Sequence, residues 1–101
     1  MNSLNPEKQK GLFRDIPLDD GYAHVLIEYD RERVSLLNLL EVIEMTGARV
    51  IETRDLPPRQ ERNRVILFKL DVQDVREVIL SLSKFPLINV TGYNSKNRSI
   101  L

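Results

Sequence analysis

After a polar opening stretch, hydrophobic and polar positions follow two different rhythms along the chain. Tyr22–Tyr29 reads Tyr-Ala-His-Val-Leu-Ile-Glu-Tyr, rich in β-branched and aromatic residues and periodic in two, which predicts a strand. Ala23, Val25, Ile27 and Tyr29 form its apolar, core-facing side, and His24, Leu26 and Glu28 its other side. Over Val34–Met45 the period lengthens: Leu36, Leu39, Leu40 and Ile43 recur at helical spacing, Glu41 and Glu44 fall on the polar side, and Gly47 closes the segment. Two starts fit this helix. Either Asp30 caps a helix beginning at Arg31, or Ser35 lies in its first turn.

Arg49–Asp55 predicts a short strand, ended by Pro57-Pro58, which cannot donate to a ladder. The polar loop Pro57–Asn63 leads into Arg64–Asp71, where Ile66, Phe68 and Leu70 share one face. Val65, Leu67 and Lys69 share the other, which Lys69 marks as the wetter one. Asp71 then serves as a predicted N-cap, and Val75, Val78, Ile79 and Leu82 repeat at i, i+3, i+4 and i+7. Pro86 stops that helix, and Leu87–Tyr93 is the last predicted strand. Strand–helix–strand twice over predicts a ferredoxin-like βαββαβ fold of the α+β class, a four-stranded antiparallel sheet with two helices on one face. Residues 1–20, with few hydrophobic residues (Leu4, Leu12, Phe13, Ile16, Leu18), read as a flexible leader or linker. The domain spans 21–95, and 96–101 reads as a frayed tail.

Composition narrows the chemistry. Among 101 residues, 15 are Lys or Arg and 15 are Asp or Glu; there is no Cys, no Trp and one His, His24. Thiolate metal sites, iron–sulfur clusters, cysteine nucleophiles and disulfide scaffolds are excluded, and no set of two or three imidazoles can form within one chain. No apolar run reaches the ~18 residues of a membrane span. A cytoplasmic domain with no metal and no cofactor is expected. A chain this short buries only roughly two-thirds of its unfolded surface, so a second copy helps complete it.

Candidate catalytic groups do not assemble. His24 stands alone within a strand, as a surface or interface residue. No serine sits in a nucleophile elbow, and the glycines at 11, 21, 47 and 92 are isolated. The acylphosphatase reading of this topology needs a glycine-rich anion cradle, and Asp30–Val34 holds arginines without glycine. The RNA-binding reading needs aromatic residues on the open sheet face of the central strands, where His24, Leu26, Glu28, Val65, Leu67 and Lys69 stand instead. A cluster of Arg54, Arg59, Arg62 and Arg64, broken by Glu52, Asp55 and Glu61, leaves a phosphate- or RNA-binding hairpin as a distant third reading. Two surfaces ask for a partner. Leu26, Val65 and Leu67 are apolar on the open face, and Leu36, Leu37, Leu39, Leu40, Val42, Ile43 and Met45 wrap most of the first helix. A homodimer is therefore expected.

Three segments carry a family resemblance: Asp30-Arg31-Glu32-Arg33-Val34-Ser35-Leu36 after the first strand, the helix exit Thr46-Gly47-Ala48-Arg49-Val50, and Leu70–Asp74 leading through a helix to Leu82–Val90. From Tyr22 to Tyr93 the chain resembles an ACT domain, a small-molecule-sensing regulatory module, and Val34–Val90 is similar to the ACT-like domains that follow paired CBS domains in bacterial proteins. The resemblance implies a non-enzymatic regulatory domain that dimerises and senses a small metabolite, an amino acid or small anion. It places the ligand at the turn after the first strand, on Arg31, Arg33, Val34, Ser35 and Asn38. Val34 stands where ligand-binding members carry a glycine that lets backbone approach the effector. The alternative is a ligand-free protein–protein or oligomerisation module.

Overall fold

The computed structural model describes residues 21–94. The elements are β1 (Ala23–Asp30), α1 (Leu36–Met45), β2 (Arg49–Leu56), β3 (Asn63–Asp71), α2 (Arg76–Leu82) and β4 (Asn89–Tyr93). The strands form one sheet in the order β2-β3-β1-β4, every neighbouring pair antiparallel. This is the ferredoxin-like α+β fold expected from the two strand–helix–strand halves. The expected leader and tail lie outside the described residues.

The core follows from the register of the two central strands. Ala23 faces Leu70, Val25 faces Phe68 and Ile27 faces Ile66, so directly opposed residues put both apolar rows on one side. Leu39 and Ile43 of α1, with Val78 and Leu82 of α2, close over that side into one buried cluster. Each fully buried side chain of this size contributes about 1.5–3 kcal/mol of transfer free energy.

The opposite face is drier than Lys69 suggests. His24 is 1% exposed, Leu67 4% and Val65 7%. Each lies in a central strand between side chains of two neighbours. Leu67 sits between Arg54 and Leu26, and His24 between Lys69 and Tyr93. Long flanking stems shield such positions even where the end groups are polar. Val65 and Leu67 are thus already buried and no longer argue for a partner on that face. The most exposed large apolar groups lie on the helices, Leu37 and Met45 on α1 (65% and 84% exposed) and Leu80 on α2, with Ile88, Ile51 and Tyr22 less exposed.

Both helix starts are set by side-chain caps, one of them reaching from beyond the last strand. Ser35 is the N-cap of α1, its Oγ accepting the Asn38 N–H at 3.1 Å, which excludes the start at Arg31 and sets Ser35 one residue ahead of the first turn it was expected to lie in. Gly47, at φ 94°, follows the helix in the left-handed region that glycine tolerates. Asp71 remains in β3, and α2 begins five residues later at Arg76. The amides there are satisfied by Asp74 Oδ1, accepting from Arg76 N–H at 3.0 Å, and by Asn94 Oδ1 beyond β4, accepting from Val75 N–H at 3.0 Å. α2 ends at Leu82, ahead of Pro86, and β4 starts at Asn89.

Gly92 sets the approach of α2 to the sheet. It lies opposite Val25 on the helix face, where a Cβ would come within 2.5 Å of Ile79 Cδ1 and 2.6 Å of Val75 Cγ2. Gly92→Ala is expected to destabilise the domain by about 1–3 kcal/mol through overpacking, read as a lower urea midpoint at unchanged slope.

Candidate functional site

The turn expected to hold a ligand is organised by Asp30, the last residue of β1. Its Oδ1 accepts the Glu32 N–H at 2.9 Å, an Asx turn, and its carbonyl oxygen accepts the N–H groups of Arg33 (2.9 Å) and Val34 (3.1 Å). The chain is thereby bent out of the sheet and delivered to Ser35, where α1 starts.

The same carboxylate binds the β2–β3 connection. Arg62 Nη2 donates to Asp30 Oδ2 at 2.9 Å, and Glu32 Oε1 stands 3.9 Å from that nitrogen. Arg31 adds two bonds in the same direction: its backbone N–H to the Arg62 carbonyl (3.1 Å) and its Nη2 to the Glu61 carbonyl (2.9 Å). The β1–α1 turn and the 61–62 turn are therefore one hydrogen-bonded corner. The Glu32 amide holds the Asp30 carboxyl below its usual range, with the charges of Arg62 and Arg33 acting in the same direction against partial desolvation.

Next to this corner the sheet is also cross-tied. On the helix-free face, Glu28 accepts from Asn63 Nδ2 (3.2 Å) on β3 and from Asn89 Nδ2 (2.9 Å) on β4. On the helix face, Arg64 grips Asp55 through two bonds, Nε at 2.9 Å and Nη2 at 3.2 Å. That pairing lowers the Asp55 carboxyl pKa and raises that of Arg64, to which the neighbouring Tyr29 also contributes.

The five expected ligand residues fall on one continuous corner but do different jobs. Arg31 is engaged with the 61–62 turn. Val34 is 5% exposed, belongs to the core, and its amide is bonded to Asp30. Arg33, Ser35 and Asn38 are exposed, although the Ser35 hydroxyl and the Asn38 amide are joined to each other by the cap. No acidic side chain stands in the first turn of α1. Composition alone did not single out Asp30, Glu28 or Asn63 as organising residues. Their only signal was an acid or amide at a strand end, which many solvated residues share.

Of the basic cluster, Arg54 stands 3.6 Å from Glu52, while Arg62 and Arg64 are held by Asp30 and Asp55. The expected RNA-reading aromatic residues are indeed not on the open face of the central strands: Tyr29 and Phe68 are buried on the helix side. Aromatic groups do reach one end of the open face from outside those strands. Tyr93 on β4 lies opposite His24, and the Lys69 ammonium stands 5.2 Å above the Tyr22 ring. Among the described residues, no three His, Cys, Asp or Glu side chains gather to hold a metal, and no helix is long and apolar enough to cross a membrane.

A groove of about 480 Å³ runs between the outer sides of the two helices, lined mainly by Val42, Met45, Thr46, Leu80, Ser81 and Lys84. It contains none of the five expected ligand residues. No protein-family model matches this chain, and no curated protein matches it.

Two measurements probe the corner. Ser35→Ala leaves the Asn38 amide without its acceptor and is expected to lower stability by about 1 kcal/mol in denaturant unfolding. Asp30 has a folded-state pKa below its ordinary value near 3.8, so the stabilisation it provides is fully present above that value and is lost as pH falls through the folded pKa. Asp30→Asn should therefore melt below the wild type at neutral pH, and the gap should narrow as the pH falls below the ordinary carboxylate value of 3.8. A gap that stays constant with pH would show that charge at Asp30 plays no part.

Proposed function

We propose that the chain is a non-enzymatic regulatory domain of the ACT type, pairing with a second copy of itself and taking a small anionic metabolite where β1 passes into α1. The observation that carries this reading is the corner itself. α1 presents the positive end of its dipole with no acid in its first turn, capped by Ser35, with the exposed Arg33 two residues ahead of the cap. The charge of Asp30 is matched by Arg62, so the corner is preorganised and not self-neutralised by its own carboxylate. A carboxylate or phosphate is the matching ligand class, with Arg33, Ser35 and Asn38 as its side-chain contacts.

Val34 shapes how such a ligand is held. With its side chain in the core and its amide on the Asp30 carbonyl, it offers no bare backbone for close approach. Side chains and the helix terminus must supply the affinity. Regulation then follows from linkage: the ligand shifts the pairing equilibrium by its differential affinity for the paired and unpaired states.

The second reading, a ligand-free pairing module, is favoured by the same Val34 and by the exposed apolar groups Leu37, Met45 and Leu80. The RNA reading is weakened at the hairpin, where three of its four arginines, Arg54, Arg62 and Arg64, each face a carboxylate.

A thermal-shift panel of amino acids, small organic acids and nucleotides separates these. A ligand at about 100 times its Kd raises stability by about 2.7 kcal/mol, a shift of several degrees for a domain of this size. The expected hit is an anion whose effect is lost in Arg33→Ala. No hit across the panel with a dimer present in sedimentation establishes the ligand-free module instead.

A further inference from the structure

We infer that the groove between the outer sides of α1 and α2 is a docking site for the leader of the same chain, with Leu12 and Phe13 lying between Met45 and Leu80. The inference does not depend on the ligand reading above. It takes Met45 and Leu80 out of the surface open to a partner.

The groove is apolar where it is most exposed. Met45 and Leu80 are 84% and 69% exposed, and neither belongs to the buried cluster or to the side chains packed against it. They stand on different helices yet line one groove of about 480 Å³ together with Val42, Thr46 and Ser81. A lone exposed leucine asks for no explanation, but apolar groups facing each other across a concave surface mark a place for a further apolar segment. Two of the lining residues are charged: Glu77 in the first turn of α2 and Lys84 just past its end.

Topology brings the leader to this groove. Ala23 faces Leu70 and Arg49 faces Asp71, so β1 starts at the end of the sheet where β2 starts and β3 finishes. α1 delivers Met45 and Thr46 to that end just before Arg49, and α2 departs from the same end with Glu77 in its first turn. Gly21, two residues ahead of β1, therefore lies at the mouth of the groove and one helix layer away from it. Crossing a layer about 10–12 Å thick takes roughly five residues of extended chain at about 3.3 Å each. Counting back that far from Gly21 reaches Ile16, and the nearest apolar residues before it are Leu12 and Phe13. Arg14, the only base between residues 11 and 20, follows Phe13 directly and is thereby brought to Glu77 at the mouth.

The chain has no cysteine, so Lys10→Cys places a single nitroxide label on the full 101-residue protein. In amide NMR spectra the label is expected to broaden Val42, Met45, Thr46, Leu80 and Ser81 more strongly than Leu26, Val65 and Leu67 on the helix-free face. Adding either Phe13→Asp or Leu80→Asp should bring the groove amides down to the broadening of the helix-free face. Leu80 is exposed and outside the core, so unchanged shifts of the buried amides check that this variant stays folded. Arg14→Glu should weaken the groove broadening, and Arg14→Glu with Glu77→Arg should restore it. Broadening strongest on the helix-free face, or groove broadening indifferent to both Phe13→Asp and Leu80→Asp, overturns the inference. Groove broadening that persists undiminished when label and isotope sit on different chains assigns the groove to a second copy and overturns it as well.

Discussion

Lying between β3 and β4 commits β1 on every side: its backbone is paired along both edges, and one of its faces lies under two helices. A strand so enclosed must be apolar on the helix side, and Ala23, Val25, Ile27 and Tyr29 meet that demand without exception. The enclosure ends abruptly at Asp30, where the chain has to leave the sheet, turn and start a helix. One carboxylate handles that exit by bonding the turn's amide, and the same group draws in Arg62 from across the molecule. The corner is therefore a consequence of where β1 lies in the sheet.

That placement also explains why the corner and β2 form one system. The 61–62 turn that bonds to Asp30 and Arg31 opens β3, and β3 holds β2 through the ladder and through the Arg64–Asp55 pair. Under the proposed function, an anion at the start of α1 would act on a turn bonded to the connection that opens β3, and coupling to a partner would require that this corner hold different positions in the free and paired states.

The alternation of the central strands and the period of the helices were enough to give the order of elements, the helix-side core and the class of fold. These are properties of short sequence windows, and burying the apolar face of each window admits few arrangements. The face that each central strand turns inward was legible for the same reason, since slipping one strand by a single residue would turn its apolar row outward. The start of α2 was not. Asp71 has the composition of an N-cap, but the helix starts five residues later, and the Val75 amide just ahead of it is met by Asn94, nineteen residues further along the chain. The dryness of the helix-free face was equally hidden, because Lys69 reads as solvent-facing and says nothing about the neighbours that shield Leu67 and His24.

Local sequence determined which residues face the core, that Arg33, Ser35 and Asn38 would gather at the head of one helix, and that β2 would carry charges of alternating sign. Tertiary structure decided the rest: that Arg62 meets Asp30 while Arg31 bonds the carbonyls of the 61–62 turn, and that Val34 is a core residue with a committed amide. The physical reason is range. Periodicity and capping preferences act over a few residues, whereas the partner of a buried or charged group is chosen by whichever distant segment the closed sheet brings within hydrogen-bonding distance.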